Sequence, residues 1–129
     1  MYQTDDAGFE KIVSWAIDDL PKEYIDNLSN VAITIEDEPT QEQRIKQKLR
    51  PNQTLFGLYE GIPRPMRNNN YSLVIPDRIT IFKKPLESWS RSVEDLMART
   101  KNTVWHEIAH HYGLGHDRIH ELERKKFAS

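Results

Sequence analysis

The sequence predicts an α+β protein, with a small mixed sheet of about four strands packed on an N-terminal helix and on a long helix near the C-terminus. Three observations predict it. Apolar residues recur at helical spacing near both ends of the chain, short β-branched runs lie between them, and Pro and Gly separate those runs. Helices grouped apart from strands are typical of α+β folds. The 129 residues include no long linker, so we expect one domain over residues 1–129.

The first helix is predicted over residues 9–20. Its apolar residues recur every three or four positions, as in a helix with one buried face: Phe9, Ile12, Val13, Ala16, Ile17 and Leu20. Pro21 follows directly, and proline is typical of a helix end. A short helical turn over residues 22–28 is expected before the first strand.

The strands are predicted from short β-branched and aromatic runs bounded by turn residues. They cover residues 31–35 (VAITI), 55–59 (LFGLY), 71–75 (YSLVI) and 79–82 (ITIF). Between the first two runs, the polar residues 40–53 are expected to form a surface loop or a marginal helix. The sheet should therefore have about four strands.

The long helix is predicted to begin after Ser92, because Asp95 follows three residues later in a capping pattern. Its core-facing stripe is expected to be Val93, Met97, Val104 and Ile108. Gly113 should end this helix, since glycine tolerates the left-handed conformation found there. A short final helix, capped by Asp117, is expected to follow.

Charge and composition exclude several kinds of partner. The net charge is −2 and the basic residues are spread along the chain, so we expect no nucleic-acid binding. The chain has no cysteine, which excludes disulfides and thiolate metal sites and fits a reducing compartment. The N-terminus is acidic and no apolar run could span a membrane. We therefore expect a cytoplasmic monomer without a membrane partner.

The strongest functional signal is a histidine cluster, since all five histidines lie between His106 and His120. His106 and His110 are four residues apart in the long helix, so both imidazoles project from one face and can bind one metal ion. Glu107 is turned about 100° aside, where its carboxylate can meet a metal-bound water. After the glycines, His116 can return to the site as a third ligand.

These residues form the run HEIAHHYGLGH, which fits H-E-x-x-H-x-x-G-x-x-H. Catalytic zinc takes three protein ligands and keeps one position open. The sequence therefore predicts a Zn²⁺ site with His106, His110 and His116 as ligands and Glu107 as general base. Surface histidines at a helix end are the alternative, which the five fixed positions of the pattern disfavour.

The chain resembles the minimal zincins, a family of small bacterial zinc-metallopeptidase-like proteins. The resemblance covers residues 9–122 and rests on the metal-binding run, on LFGLYEGIP, on PDRITIFKKP and on FEKIVSWAIDDLP. It implies a pared-down zincin fold with a small mixed sheet and an active-site helix. Family members commonly have aspartate where this chain has His116. The methionine turn of metzincins is missing, because all three methionines precede the motif.

Two functions are open at this point. The leading hypothesis is a zinc-dependent peptidase that acts on a peptide or protein substrate, with Glu107 moving a proton from water to the leaving amine. The alternative is a non-catalytic or weakly active module that binds a peptide or protein and has a zincin-like metal site. The intact Glu107 favours the enzyme, and the expected absence of a second subdomain after the motif favours the binding module.

The remaining candidates are expected to have ordinary structural roles. His111 should lie at the core edge or on the surface, and His120 in solvent, although it could reach the metal. Arg64 and Arg67 fall in a Pro- and Gly-containing loop that is either a lid or a solvated connector.

The strand at residues 79–82 ends in Lys-Lys-Pro, which is typical of a sheet edge. We therefore expect an extended peptide to pair there.

Overall fold

The structure is a computed structural model that describes residues 1–28, 30–61 and 76–114. The described residues form five helices and three strands, in the order α1 (Asp6–Asp18), α2 (Lys22–Asp26), β1 (Val31–Glu36), α3 (Gln41–Lys46), β2 (Gly57–Glu60), β3 (Asp77–Phe82), α4 (Lys83–Trp89) and α5 (Val93–His111). The predicted α+β class is confirmed. In these parts of the chain no helix is long and apolar enough to cross a bilayer.

The predicted N-terminal helix is confirmed as α1. It begins earlier than its apolar stripe, because the Asp5 side chain accepts a hydrogen bond from the Gly8 backbone N–H at 2.7 Å and caps the first turn. It ends just before Pro21. Phe9, Val13 and Ala16 are buried on its inner face, so the stripe read from the sequence is the face that packs.

The sheet is mixed and has the strand order β1-β3-β2. β1 runs parallel to β3, with Val31 opposite Asp77 and Glu36 opposite Phe82. β2 runs antiparallel to β3, with Gly57 opposite Ile81. β3 is therefore the central strand, and five of its six residues are buried.

The prediction that residues 79–82 form an edge strand is wrong, because β3 is paired on both sides. The Lys-Lys-Pro segment that suggested an edge is the first turn of α4, where proline is tolerated because the helix needs no N–H from it. Lys83 there pairs with Asp6 at 2.9 Å and so ties α4 to α1. The sequence signal thus marked a helix start.

The expected four-stranded sheet is not confirmed, since the described residues contain three strands. The predicted strand at residues 71–75 lies outside the described residues. So do the predicted loop with Arg64 and Arg67 and the predicted final helix after Gly115.

The polar segment at residues 40–53 contains a helix, which was one of its two predicted forms. Thr40 and Gln43 form a capping box at the start of α3, each side chain accepting a hydrogen bond from the backbone of the other. Gln43 is buried, and its amide donates to Glu60 Oε1 at 3.0 Å. This contact links α3 to β2.

The core lies where α1 and α5 pack on one another and on the sheet. Its buried residues are Phe9, Val13, Ala16, Leu20, Ile79, Ile81, Leu86, Leu96, Val104, Trp105, Ile108 and Ala109. The predicted stripe of the long helix is correct for Val104 and Ile108. It is wrong for Val93 and Met97, which are only partly buried while Leu96 is fully buried, so the buried face of the first turns is rotated from the expected one.

Candidate metal centre

α5 is the platform of the candidate site. The Ser92 side chain accepts a hydrogen bond from the Asp95 backbone N–H at 3.1 Å, which confirms the predicted start. The predicted end at Gly113 is also confirmed. Gly113 has a φ of 75°, its N–H donates to His110 O, and Leu114 N–H donates to Ala109 O. This is the Schellman arrangement, and it turns the chain directly after the two motif histidines.

His106 and His110 stand out by their exposure. Every other residue between positions 103 and 111 is buried, whereas these two histidines are partly open. Since residues four apart share one helix face, both histidines lie on the same face of α5, which is partly open in an otherwise covered stretch. That is the placement that the metal hypothesis requires of them.

Glu107 is buried next to this partly open face, and its carboxylate contacts one of the two histidines. Its Oε1 lies 3.1 Å from His110 Nδ1, in a hydrogen bond. The hydrogen bond that Glu107 accepts from His110 raises the pKa of the histidine above its usual value, and burial partly offsets the rise. Because a metal binds neutral imidazole, protonation of His110 competes with metal binding.

A second face of α5 carries buried polar side chains. Thr103, Glu107 and His111 are spaced four residues apart, so they share one face, and all three are buried. This polar face lies against the sheet, whereas the apolar residues Val104 and Ile108 belong to the main core. The helix is therefore covered on two sides.

Gly57 of β2 makes the approach to this polar face possible. A Cβ added at Gly57 would lie 2.7 Å from Thr103 Cγ2 and 3.2 Å from Glu107 Cγ, closer than side chains normally come. The strand can pass the glutamate only because it has no side chain there. This role of Gly57 was not predicted from the sequence, although a single glycine inside LFGLY was the available signal.

His111 is fully buried, so the surface alternative predicted for it is wrong. Its Nδ1 lies 3.5 Å from Asp77 Oδ2, and its ring meets the Tyr59 ring edge-on with centroids 5.9 Å apart. The Tyr59 hydroxyl donates a hydrogen bond to the same Asp77 oxygen. This cluster was not predicted from the sequence, since its three members lie far apart in the chain.

The described part of the ligand set fits zinc in its chemistry. Imidazole nitrogen is a common zinc ligand, and a carboxylate beside it suits a catalytic site. His116, the third predicted ligand, lies outside the described residues, as do His120 and Asp117. Over residues 1–28, 30–61 and 76–114, no group of three potential metal ligands is gathered. The set of three ligands therefore stays a prediction.

Comparison with known proteins identifies the class of this protein. The sequence model of a family described as "zincin-like metallopeptidase" matches residues 28–126. The chain belongs to that family, as the resemblance in its sequence implied. No curated protein matches the chain.

One similar solved structure is a conserved hypothetical protein from Thermus thermophilus. The TM-score is 0.54 at 17% sequence identity, and the match covers 83% of this chain and 92% of that chain. At this identity the likeness shows a shared fold.

Proposed function

We propose that the chain is a zinc-dependent peptidase in which His106, His110 and His116 bind Zn²⁺ and Glu107 is the general base. The observation that carries the proposal is the exposure pattern of α5. In a stretch that is otherwise covered, the two motif histidines are the partly open residues, and a buried carboxylate adjoins one of them. Membership of the zincin-like metallopeptidase family supports the same function.

Each residue has a definite task in this proposal. Zinc, when bound, lowers the pKa of a water molecule and polarises the carbonyl of the scissile bond. Glu107 accepts the proton of the attacking water and passes it to the leaving amine. Glu107 is buried where β2 passes it at Gly57, and dense packing leaves a side chain few alternative positions. The hydrogen bond with His110 holds the carboxylate on the side of the metal ligands.

The substrate strand in this proposal is β2. A peptide can add only to a strand with a free edge, and β3 has none. Among the described strands, β2 is bonded to β3 alone, and it passes next to Glu107 at Gly57. A peptide in extended form beside β2 would thus bring a backbone carbonyl close to the glutamate and the histidines. β1 has no such contact, because it lies on the opposite side of β3.

The test is metal analysis combined with digestion of a broad peptide library. The wild type should hold one zinc per chain and cleave peptides. His110→Ala should lose most of the zinc. Glu107→Gln should keep the zinc and lose about 10²- to 10⁴-fold in cleavage rate, as expected on removal of a general base. Glu94→Gln, which changes an exposed carboxylate in the first turn of the same helix, is the control and should keep both.

Two results would decide against parts of the proposal. Stoichiometric zinc in the His110→Ala protein would overturn the ligand assignment. Zinc in the wild type without any cleavage would overturn the peptidase and favour the peptide-binding module.

A further inference from the structure

The cluster of Tyr59, Asp77 and His111 has no task in the proposed chemistry. Asp77 is 3% exposed and His111 is fully buried, so neither can touch a substrate. A carboxyl group is costly to bury, and here it sits among a phenol, an imidazole and a glycine. A merely structural contact between sheet and helix is achieved at lower cost by apolar side chains.

The cluster joins three elements at the C-terminal end of α5. Tyr59 belongs to β2, Asp77 begins β3, and His111 is the last residue of α5. The Tyr59 hydroxyl and the His111 ring both approach Asp77 Oδ2. A single oxygen atom therefore fixes the helix end relative to the proposed substrate strand.

The backbone at Gly61 packs closely against the Asp77 carboxyl group. Its φ of 155° is a conformation that other residues rarely adopt, and a Cβ there would lie 2.2 Å from Asp77 Oδ1. The chain just beyond β2 thus closes over the carboxylate. Asp77 can hardly shift without moving the end of β2 as well.

The carbonyl groups of the last turn of a helix lack partners within the helix, and in α5 such groups accept hydrogen bonds from the backbone of the residues that follow it. His110 lies in that turn, one residue before His111 and directly before the Gly113 turn. A rotation of the turn would swing the His110 imidazole away from that of His106. The contact between His111 and Asp77 opposes such a rotation from the buried side.

We propose that Asp77 is a positioning residue of the metal centre, which holds the last turn of α5 so that His110 faces the same ion as His106. This inference rests on the proposed function for the identity of the metal ligands. Buried groups that orient the ligands of a metal commonly change its affinity by roughly tenfold or more when they are replaced. Asp77 acts one step further out, through the backbone of the helix.

The test compares Asp77→Asn with Ile79→Val. Asparagine keeps the volume of aspartate and turns charged contacts into weaker neutral ones. Ile79→Val removes one buried methylene two residues along the same strand, which lowers stability without touching the carboxyl group. Zinc affinity is measured by chelator competition well below the melting temperature of each protein, and the visible spectrum is recorded with Co²⁺ in place of zinc.

Asp77→Asn should raise the zinc Kd roughly tenfold and alter the Co²⁺ spectrum, whereas Ile79→Val should lower the melting temperature and leave both metal readouts unchanged. Should Asp77→Asn fail to fold, Tyr59→Phe replaces it, since it removes only the hydroxyl that bonds Asp77. A smaller rise in Kd is then expected.

A wild-type zinc Kd and Co²⁺ spectrum in the folded Asp77 or Tyr59 variant would overturn the inference and leave the proposed function intact. If the wild-type protein bound no zinc, the proposed function would fail, and the inference with it.

Discussion

The two halves of α5 differ in their surroundings although they form one continuous helix. In residues 93–101 only Leu96 and Thr100 are buried, and Lys101 pairs with Asp19 of the segment after α1 at 2.7 Å. In residues 102–111 seven positions are buried, four of them apolar and three polar. The first half is largely open, and the second half is enclosed between the α1 side of the core and the sheet.

The difference shows how a pair of partly open side chains is fixed on a helix. His106 and His110 gain their orientation from buried residues on either side of them in the chain, such as Trp105 and Glu107. A helix covered on one face only can rotate or shift when a ligand binds to it. Enclosure of the second half on two sides removes that freedom, since densely packed side chains have few alternative positions.

The largest difference in stability is expected when one large side chain is truncated in each half of α5. Trp105→Ala should lower the free energy of unfolding by about 3–5 kcal/mol, because a fully buried indole leaves a cavity. Its ring also loses an edge-on contact with Tyr24 at 5.0 Å. Met97→Ala, on the wall of an open groove beside Trp15, should cost about 1 kcal/mol. Urea denaturation of both variants measures this, and equal losses would contradict the comparison.

A second prediction tests how closely the sheet encloses the second half. Gly57→Ala should destabilise the protein by about 1–3 kcal/mol, because its Cβ meets Thr103 Cγ2 and the stem of Glu107. Thr103→Ser removes that methyl group and keeps the hydroxyl that donates to Arg99 O. The double variant should therefore recover part of the loss in a double-mutant cycle by urea denaturation. Strict additivity of the two changes would show that the contact is not the cause.

The smallest effect on stability is expected in the first turn of α5, at Asp95. The backbone N–H of Arg91 chiefly lowers the pKa of Asp95 below its ordinary value. A carboxylate whose pKa is lower in the folded state adds stability above its unfolded pKa of about 3.9, and that stability is lost as the pH falls through the folded pKa. Asp95→Asn should therefore melt slightly below the wild type at pH 7. The gap should close in melts below pH 4, and a gap that widened there would contradict the assignment.

Local signals in the sequence were sufficient for most of the helices. The stripe from Phe9, the cap at Ser92 and the stop at Gly113 each act within a few residues, and all three are confirmed. The placement of His106 and Glu107 on one helix followed from the same local rules. Their roles in binding metal and moving a proton stay predictions.

Strand pairing and the second buried face of α5 could not be predicted. Which strand is central depends on partners distant in the chain, so the charges after Phe82 were assigned to an edge when they begin α4. The second face of α5 is polar, and hydrophobic periodicity gives no sign of a buried face made of Thr103 and Glu107. Asp77 was not predicted either, because the residues that contact it, Tyr59 and His111, are distant from it in the sequence.

The central position of β3 also has a consequence for how the chain folds. Its pairs with β1 join residues such as 31 and 77, which are 46 positions apart (77 − 31), and the core joins Phe9 to Ile108. Contacts between residues so distant slow folding, because a long loop must close before they form. During synthesis, α1 therefore has no complete core to join until α5 has left the ribosome, so the motif helix also completes the core formed by the described residues.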